Sequence, residues 1–98
     1  MTPYTHATWI VKPGREEEFM RLWEELADWT IAEGWDTRAV LLRDVDHPNR
    51  FVTFGPWRTF EDIAAWRSTE GFAERVARLD EVLQSFEPLT LKLIFESS

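Results

Sequence analysis

The stretch 35-WDTRAVLLRDVDHPNRFVTFGPW-57 decides the fold, because it predicts a β-hairpin at the centre of the chain. Trp35–Val45 and Arg50–Trp57 are rich in the β-branched and aromatic residues that strands favour, and the polar turn Asp46–Asn49 joins them. Pro56 lacks an N–H, so we expect Gly55-Pro56 to interrupt the hydrogen-bond ladder near the end of the second strand.

A strand and an amphipathic helix precede this hairpin. Tyr4–Lys12 predicts a first strand, which ends at the turn Pro13-Gly14. From Arg15 to about Glu33 apolar residues recur at helical spacing, and Gly34 is the expected stop. Three glutamates occupy the first turn of this helix, where the helix dipole favours carboxylates, so we interpret them as helix-start residues and not as a metal site.

Two helical segments and a last strand follow the hairpin. Thr59 begins the first segment, and Ser68–Gly71 breaks or kinks it. A second segment is predicted from about Thr69 to Gln84. Pro88 ends that region, and Leu89–Phe95 alternates in the manner of a strand.

The order βαββαβ predicts an α+β, ferredoxin-like fold. Right-handed crossovers lay the helices on one face of a four-stranded antiparallel sheet. The other face stays uncovered, and we expect two copies of the chain to pair through it as a homodimer. The residues expected on this open face are His6, Thr8 and Ile10 of the first strand, and Thr90, Lys92, Ile94 and Glu96 of the last.

Composition limits the classes of function. The 98 residues, uninterrupted by a linker, predict a single domain, 1–98. A formal charge of −7 argues against nucleic acid as a partner, and the absence of Cys excludes disulfides and thiolate ligands. The sequence shows no export signal and no apolar run of membrane-spanning length, so we expect no membrane partner and a cytoplasmic location.

Two segments carry a family resemblance, VKPGREEEFMRLWEELADW (11–29) and GWDTRAVLLRDVDHPNRFVTFGPWRTFEDIAAWRSTEGF (34–72). The marks are the KPG turn before an acidic helix, the Gly before the hairpin, and the W-x-[ST] elements at Trp57 and Trp66. In this order they resemble an antibiotic biosynthesis monooxygenase (ABM) domain over nearly the whole chain. The resemblance implies a dimeric α/β barrel with a pocket between helices and sheet in each subunit.

Some members of this family resemble cofactor-free monooxygenases that act on aromatic polyketides, others degrade haem, and many have no established reaction. Fold alone does not choose among them. Trp66 matches a Trp of the haem-degrading members, but their Asn and haem-ligating His positions fall on Ala7 and Val76. Haem degradation is therefore disfavoured. Trp57 matches a Trp of the polyketide-type enzymes, whose Asn and Tyr positions fall on Thr53 and Ile63.

Two hypotheses follow. The first is a monooxygenase that needs no cofactor and oxidises a small aromatic substrate, with a weak candidate polar contact from Thr53, Arg38 or His6. The residues expected to bind that substrate are Trp66, Trp57, Trp23, Phe72 and Ile63. The alternative is a non-catalytic dimeric domain that binds a small hydrophobic ligand or none, with the Trp residues as core.

A metal site is not expected. Asp44, Asp46 and His47 lie close together, but a polar hairpin loop also requires such residues, since Asp bonds its own backbone.

Overall fold

The chain forms a four-stranded antiparallel sheet with three helices, in the order β-α-β-β-α-α-β, and the predicted ferredoxin-like α+β fold is confirmed. The computed structural model describes all 98 residues, Met1–Ser98. The strands are β1 Pro3–Val11, β2 Val40–Arg43, β3 Arg50–Pro56 and β4 Leu83–Lys92. The helices are α1 Glu16–Ala32, α2 Phe60–Arg67 and α3 Glu70–Asp80. None of the three is both long and apolar enough to cross a bilayer.

The strands are arranged in the order β2-β3-β1-β4, so β1 lies in the middle and β4 forms an edge. The core lies between the sheet and the helices. Phe19 of α1 is fully buried there, with its ring centroid 5.4 Å from that of Trp9 and 4.9 Å from that of Phe51. Leu79 of α3 is equally buried. Burial of these side chains is the main favourable contribution to the stability of the subunit.

The central hairpin is present, but β2 is shorter than the predicted Trp35–Val45. Thr37 forms only an isolated bridge with Trp57, and regular pairing starts at Val40, opposite Phe54. The gap faces Pro56, which has no N–H to donate. The sequence-based expectation of an interrupted ladder is therefore correct, and the interruption shortens the strand.

The hairpin loop is closed by one carboxylate. Asp44 Oδ1 accepts hydrogen bonds from the backbone N–H of Asp46 at 2.8 Å and of His47 at 3.2 Å. These bonds, that from Asp46 first, hold the pKa of Asp44 below its ordinary value, because they favour the charged form. Asp44 thus has the turn-forming role expected of an aspartate at this place.

The boundary between the last helix and the last strand differs from the prediction. Helix α3 ends at Asp80 and not near Gln84, and β4 begins at Leu83 and not at Leu89. Val82 and Leu83, whose apolar side chains continue the helical spacing, are instead buried where the chain enters the sheet. Pro88 lies within β4, which tolerates it because an edge strand has one side without ladder hydrogen bonds.

The prediction of which β4 side chains lie on the open face of the sheet is also wrong. Directly paired residues share a sheet face, and Leu89 pairs with His6 while Thr90 pairs with Thr5. Leu89 and Leu91 therefore lie on the open face, whereas Thr90 and Lys92 lie on the helix side. Alternation alone does not say which of the two alternating sets of side chains faces the helices, and a shift of one residue in the pairing inverts the assignment.

The break between α2 and α3 is built from two threonine caps. The Thr59 hydroxyl accepts from Asp62 N at the start of α2, and the Thr69 hydroxyl accepts from Phe72 N at the start of α3. Gly71 is not the breaker, because it lies inside α3. Thr69, capping a new helix, fixes the change in direction.

Gly71 gives room to an aromatic ring of α1. A Cβ on this glycine would lie 2.2 Å from Cζ2 of Trp29. Arg75 covers the same indole, its guanidinium carbon 4.5 Å from the ring centroid, and donates a hydrogen bond to Gly71 O at 3.0 Å. The indole is thus held between a glycine and an arginine, and α1 packs closely on α3.

Gly71→Ala tests this packing. Ala is the better helix former by about 1 kcal/mol, so propensity alone predicts stabilisation. We expect instead a loss of about 1–3 kcal/mol in the free energy of unfolding, because the added methyl displaces a rigid ring. Urea denaturation measures the change. In a Trp29→Ala background the same substitution should be neutral or stabilising, and an equal loss in both backgrounds would contradict the account.

Candidate functional site

A cavity of about 290 Å³ lies between the sheet and the helices. Its floor comes from β1 and β3, and its walls come from α1, the α2–α3 region and β4. The rings that line it are Trp9, Trp23, Trp57, Trp66, Phe72 and Phe86. We call this space the aromatic cavity. A concave, mostly apolar site of this size is typical of those that bind small molecules.

Three of the indole rings are held by the same interaction, a hydrogen bond from the ring N–H to a threonine hydroxyl. The pairs are Trp9 with Thr53 at 3.0 Å, Trp57 with Thr5 at 3.1 Å, and Trp66 with Thr30 at 3.0 Å. Each pair joins two different secondary structure elements or lies across a strand pair. A buried N–H without an acceptor is costly, so these bonds both satisfy and orient the rings.

Thr30 has two roles within one helix. It accepts from Trp66 and donates its own proton to the carbonyl of Leu26, one turn earlier in α1, at 2.8 Å. Its side chain is buried, at 4% exposure. Because the only proton of the Thr30 hydroxyl is used in the bond to Leu26, its oxygen is left to accept the Trp66 N–H, and this second bond links α2 to α1.

The rings on one side of the cavity contact each other in sequence. The centroids of Trp35 and Trp57 are 6.0 Å apart, those of Trp57 and Trp66 are 4.8 Å apart, and those of Trp66 and Phe72 are 4.5 Å apart. The planes are tilted or edge-on, as aromatic pairs prefer. Trp57, Trp66 and Phe72 line the cavity, whereas Trp35 lies outside it. The wall is therefore an angular aromatic surface, with neighbouring rings inclined at 45° and 64°, against which an aromatic ligand can pack.

The cavity carries few charges, all near its mouth. Arg38 and Asp28 are exposed, while Arg67 at the end of α2 is half-buried. Arg67 donates to Thr90 Oγ1 at 2.5 Å and to the carbonyl of Leu89 at 3.3 Å. Burial lowers the pKa of its guanidinium, which nevertheless remains charged near neutral pH.

Most of the residues singled out from the sequence are brought together here. Trp66, Trp57, Trp23 and Phe72 all line the aromatic cavity. Ile63 does not, because it is packed beneath α2 at 2% exposure. Ala7 and Val76, on which the resemblance would place the Asn and His of the haem-degrading members, also line it.

The three weak polar candidates are placed differently from one another. Thr53 is buried at 7% exposure on the cavity floor, with its hydroxyl engaged by Trp9. Arg38 lies at the mouth. His6 borders the cavity, but alternation along β1 turns its side chain to the open face, where it pairs with Phe54 and Leu89.

Sequence reasoning missed three residues of the cavity. Trp9 was not singled out, although it lies two residues after Ala7 on the same side of a strand. Thr30 follows Leu26 by four residues, which is the spacing of one helix face. Arg67 carried no signal in the sequence, since its burial depends on the position of β4.

A family model matches the chain from β1 to α3. Residues 4–78 match the model described as antibiotic biosynthesis monooxygenase, ABM. The chain belongs to the ABM family. The match begins in β1 and ends in α3, so it includes every element around the cavity except β4. No match was found among curated proteins.

Solved structures of ABM proteins share the fold at low identity. A mutant of SnoaB, a cofactor-independent oxygenase from Streptomyces nogalater, superimposes with a TM-score of 0.85 at 18% identity, covering 96% of this chain and 95% of that one. A provisionally assigned antibiotic biosynthesis monooxygenase from Nitrosomonas europaea has a TM-score of 0.84 at 19% identity, with coverages of 99% and 94%. At such identities the likeness shows the fold alone.

The substitution Thr30→Val tests the hydrogen bond between the Trp66 indole and the Thr30 hydroxyl in this ABM domain. It keeps the shape of the side chain but leaves the Trp66 N–H without its acceptor, and we expect a loss of about 1 kcal/mol, since that ring is only partly buried. In a Trp66→Phe background the loss should be much smaller. A double-mutant cycle by urea denaturation measures the coupling, and strictly additive effects would refute it.

Proposed function

We propose that this ABM domain is a monooxygenase that needs no cofactor and oxidises a small, electron-rich aromatic molecule. The observation that carries the proposal is the aromatic cavity, about 290 Å³ in volume and walled by fixed rings. Membership of the ABM family supports it. So does the fold shared with SnoaB, itself described as a cofactor-independent oxygenase.

The proposed chemistry uses the substrate as its own reductant. An activated ring carbon with two hydrogens, such as the CH₂ of an anthrone or of the keto tautomer of a dihydroxynaphthalene, loses a proton, and the resulting anion passes an electron to O₂. One oxygen atom of O₂ enters the substrate as a carbonyl, and the other leaves as water with the two hydrogens of the CH₂ group. No further electrons are needed, so the balance requires no external donor.

The chain's own contribution would be mainly binding, orientation and exclusion of water. An aromatic substrate would pack against the wall formed by Trp57, Trp66 and Phe72. In such a dry site an anion is stabilised by fixed dipoles and nearby charge more strongly than in water. Arg38 and Arg67 at the mouth supply positive charge for this purpose.

Proton removal constrains the choice of substrate. The cavity-lining hydroxyls of Thr5, Thr30 and Thr53 already accept indole N–H groups, and a threonine hydroxyl is a poor base at neutral pH. Asp28 is the only carboxylate that lines the cavity, at its exposed mouth. The proposed substrates are therefore molecules that ionise readily by themselves, such as anthrones and dihydroxynaphthalenes.

Haem degradation fits the residues poorly. Val76 lies in the wall at the family's haem-ligating position, and an aliphatic side chain offers no ligand to iron. Ala7 stands on the cavity floor at the family's Asn position. The cavity is better suited to an apolar ring system than to an iron porphyrin that needs a proximal ligand.

Oxygen uptake tests the proposed activity. With anthrones and dihydroxynaphthalenes we expect substrate-dependent O₂ consumption above the rate in buffer, and Val76→Phe should reduce it at least tenfold by filling the cavity. Ala77→Phe is the control, because Ala77 is exposed on the same helix and lies outside the cavity. No consumption above buffer by the unmodified protein would contradict the proposal.

A second candidate is a non-catalytic domain that binds a small hydrophobic ligand. The observation in its favour is that Ala7, Val76 and Ile63 replace polar groups of the family's catalytic sets with apolar side chains. This candidate predicts saturable binding of the same aromatic compounds with no uptake of O₂. The oxygen measurement therefore separates the two.

We further propose that the functional unit is a homodimer formed through the open sheet face. That face carries apolar side chains from all four strands, which are Tyr4, Ile10, Val40, Leu42, Val52, Phe54, Leu89 and Leu91. Several of them are 40–49% exposed in the single subunit. A second copy would cover this apolar patch.

Phe54→Glu tests the dimer. A carboxylate at the centre of the open face should not be buried in an interface, so we expect a dimer mass for the unmodified protein and a monomer mass for the variant. Phe60→Glu is the matched control, since Phe60 is 45% exposed, like Phe54 at 40%, but begins α2. Sedimentation equilibrium gives the masses, and a monomeric unmodified protein would overturn the proposal.

A further inference from the structure

Arg67 is a half-buried cation with no anion beside it. Its partners are neutral, the hydroxyl of Thr90 and the carbonyl of Leu89, and no carboxylate lies within 4.0 Å. Those two bonds use two of the five N–H donors of a guanidinium. Three donors remain, on a group that borders the aromatic cavity.

Four other arginines of the chain have a carboxylate beside them. Arg15, Arg21, Arg50 and Arg58 each meet one within 4.0 Å, with side chains that are 43–66% exposed. The chain has seven more acidic than basic residues, so carboxylates are abundant. The remaining arginines have no carboxylate at this distance, and of these only Arg38 and Arg67 line the aromatic cavity. A partly buried charge is stabilised by an opposite charge, so a ligand anion would complete the surroundings of Arg67.

The charges that line the cavity also favour an anionic ligand. Arg67 and Arg38 outnumber the single carboxylate, Asp28, among its lining residues, in a protein whose overall charge is −7. Helix α2 also ends at Arg67, so the C-terminal carbonyls of that helix favour the cation and hold it in place. The cavity mouth is thus a local positive site on an acidic protein.

We propose that the aromatic cavity binds an aromatic carboxylate, with the ring system against Trp66 and the carboxylate on Arg67. This inference rests on the proposed function and narrows its substrate class to acidic aromatic compounds. A guanidinium presents its remaining donors in a planar fork that matches a carboxylate. Trp66 and Arg67 are adjacent at the end of α2, so one short segment positions both the ring contact and the charge.

Arg67 also holds α2 against β4 through Thr90 and Leu89. Loss of affinity on its removal could therefore reflect a displaced helix. The preference for a carboxylate over a neutral ligand of the same shape separates the two roles, because a purely structural role of Arg67 would not change that preference. Arg67→Lys keeps the charge but not the fork, and Arg67→Gln removes the charge.

The test compares 1-naphthoate with its neutral isostere 1-naphthamide by titration calorimetry. We expect the unmodified protein to bind naphthoate about tenfold more tightly, which corresponds to about 1.4 kcal/mol. Arg67→Gln should abolish that preference while still binding naphthamide, and Arg67→Lys should retain part of it. Arg58→Gln is the control, because it makes the same change in net charge at an exposed arginine outside the cavity, and it should keep the full preference.

Three results would overturn the inference: equal binding of the two ligands by the unmodified protein, an undiminished preference in Arg67→Gln, or no binding of naphthoate at all. Neither ligand is consumed and no O₂ is required, so these results leave the proposed oxygenation to be judged by uptake with anthrones. Conversely, a carboxylate preference without any O₂ uptake would support the inference and contradict the oxygenase proposal.

Discussion

A buried indole N–H needs an acceptor, and the cavity of this ABM domain is built around that requirement. Trp9, Trp57 and Trp66 each donate to a threonine hydroxyl that comes from a different part of the chain. Because the rings are fixed in this way, they line a space and do not collapse into it. The same bonds use up the hydroxyls, which explains why a cavity with several polar side chains in its wall behaves as an apolar one.

Much of the fold could be predicted from the sequence, because local signals were strong where they mattered. The turn Asp46–Asn49, the acidic first turn of α1 and the threonine at the start of α2 each have a direct local cause. The errors fall where local signals are ambiguous. Val82 and Leu83 continue a helical spacing but belong to the entrance of β4, and only contact with the buried core decides between the two. The facing of β4 likewise depends on its register with β1, which no single strand encodes.

The candidate site was predictable to a different extent. Trp57, Trp66 and Phe72 could be placed in one wall from helical spacing and from the family resemblance. Ile63, also expected there, lies three residues before Trp66 and so on the same side of α2, but it is buried at 2% exposure and does not reach the cavity. Arg67 could not be found, since a charged residue at a helix end is ordinarily solvated, and its half-burial arises only from the edge strand that passes beside it.

In the proposed oxygenation this scaffold supplies an aromatic cavity and positive charge, and the substrate supplies the electrons. One atom of O₂ would enter the substrate with no cofactor present. The most direct measurement is mass spectrometry of the product formed from an anthrone under ¹⁸O₂, with protein treated with a metal chelator and supplied with neither flavin nor haem. The account predicts a product that carries one ¹⁸O atom; a product without ¹⁸O, or one formed only when a metal or flavin is added back, would contradict it.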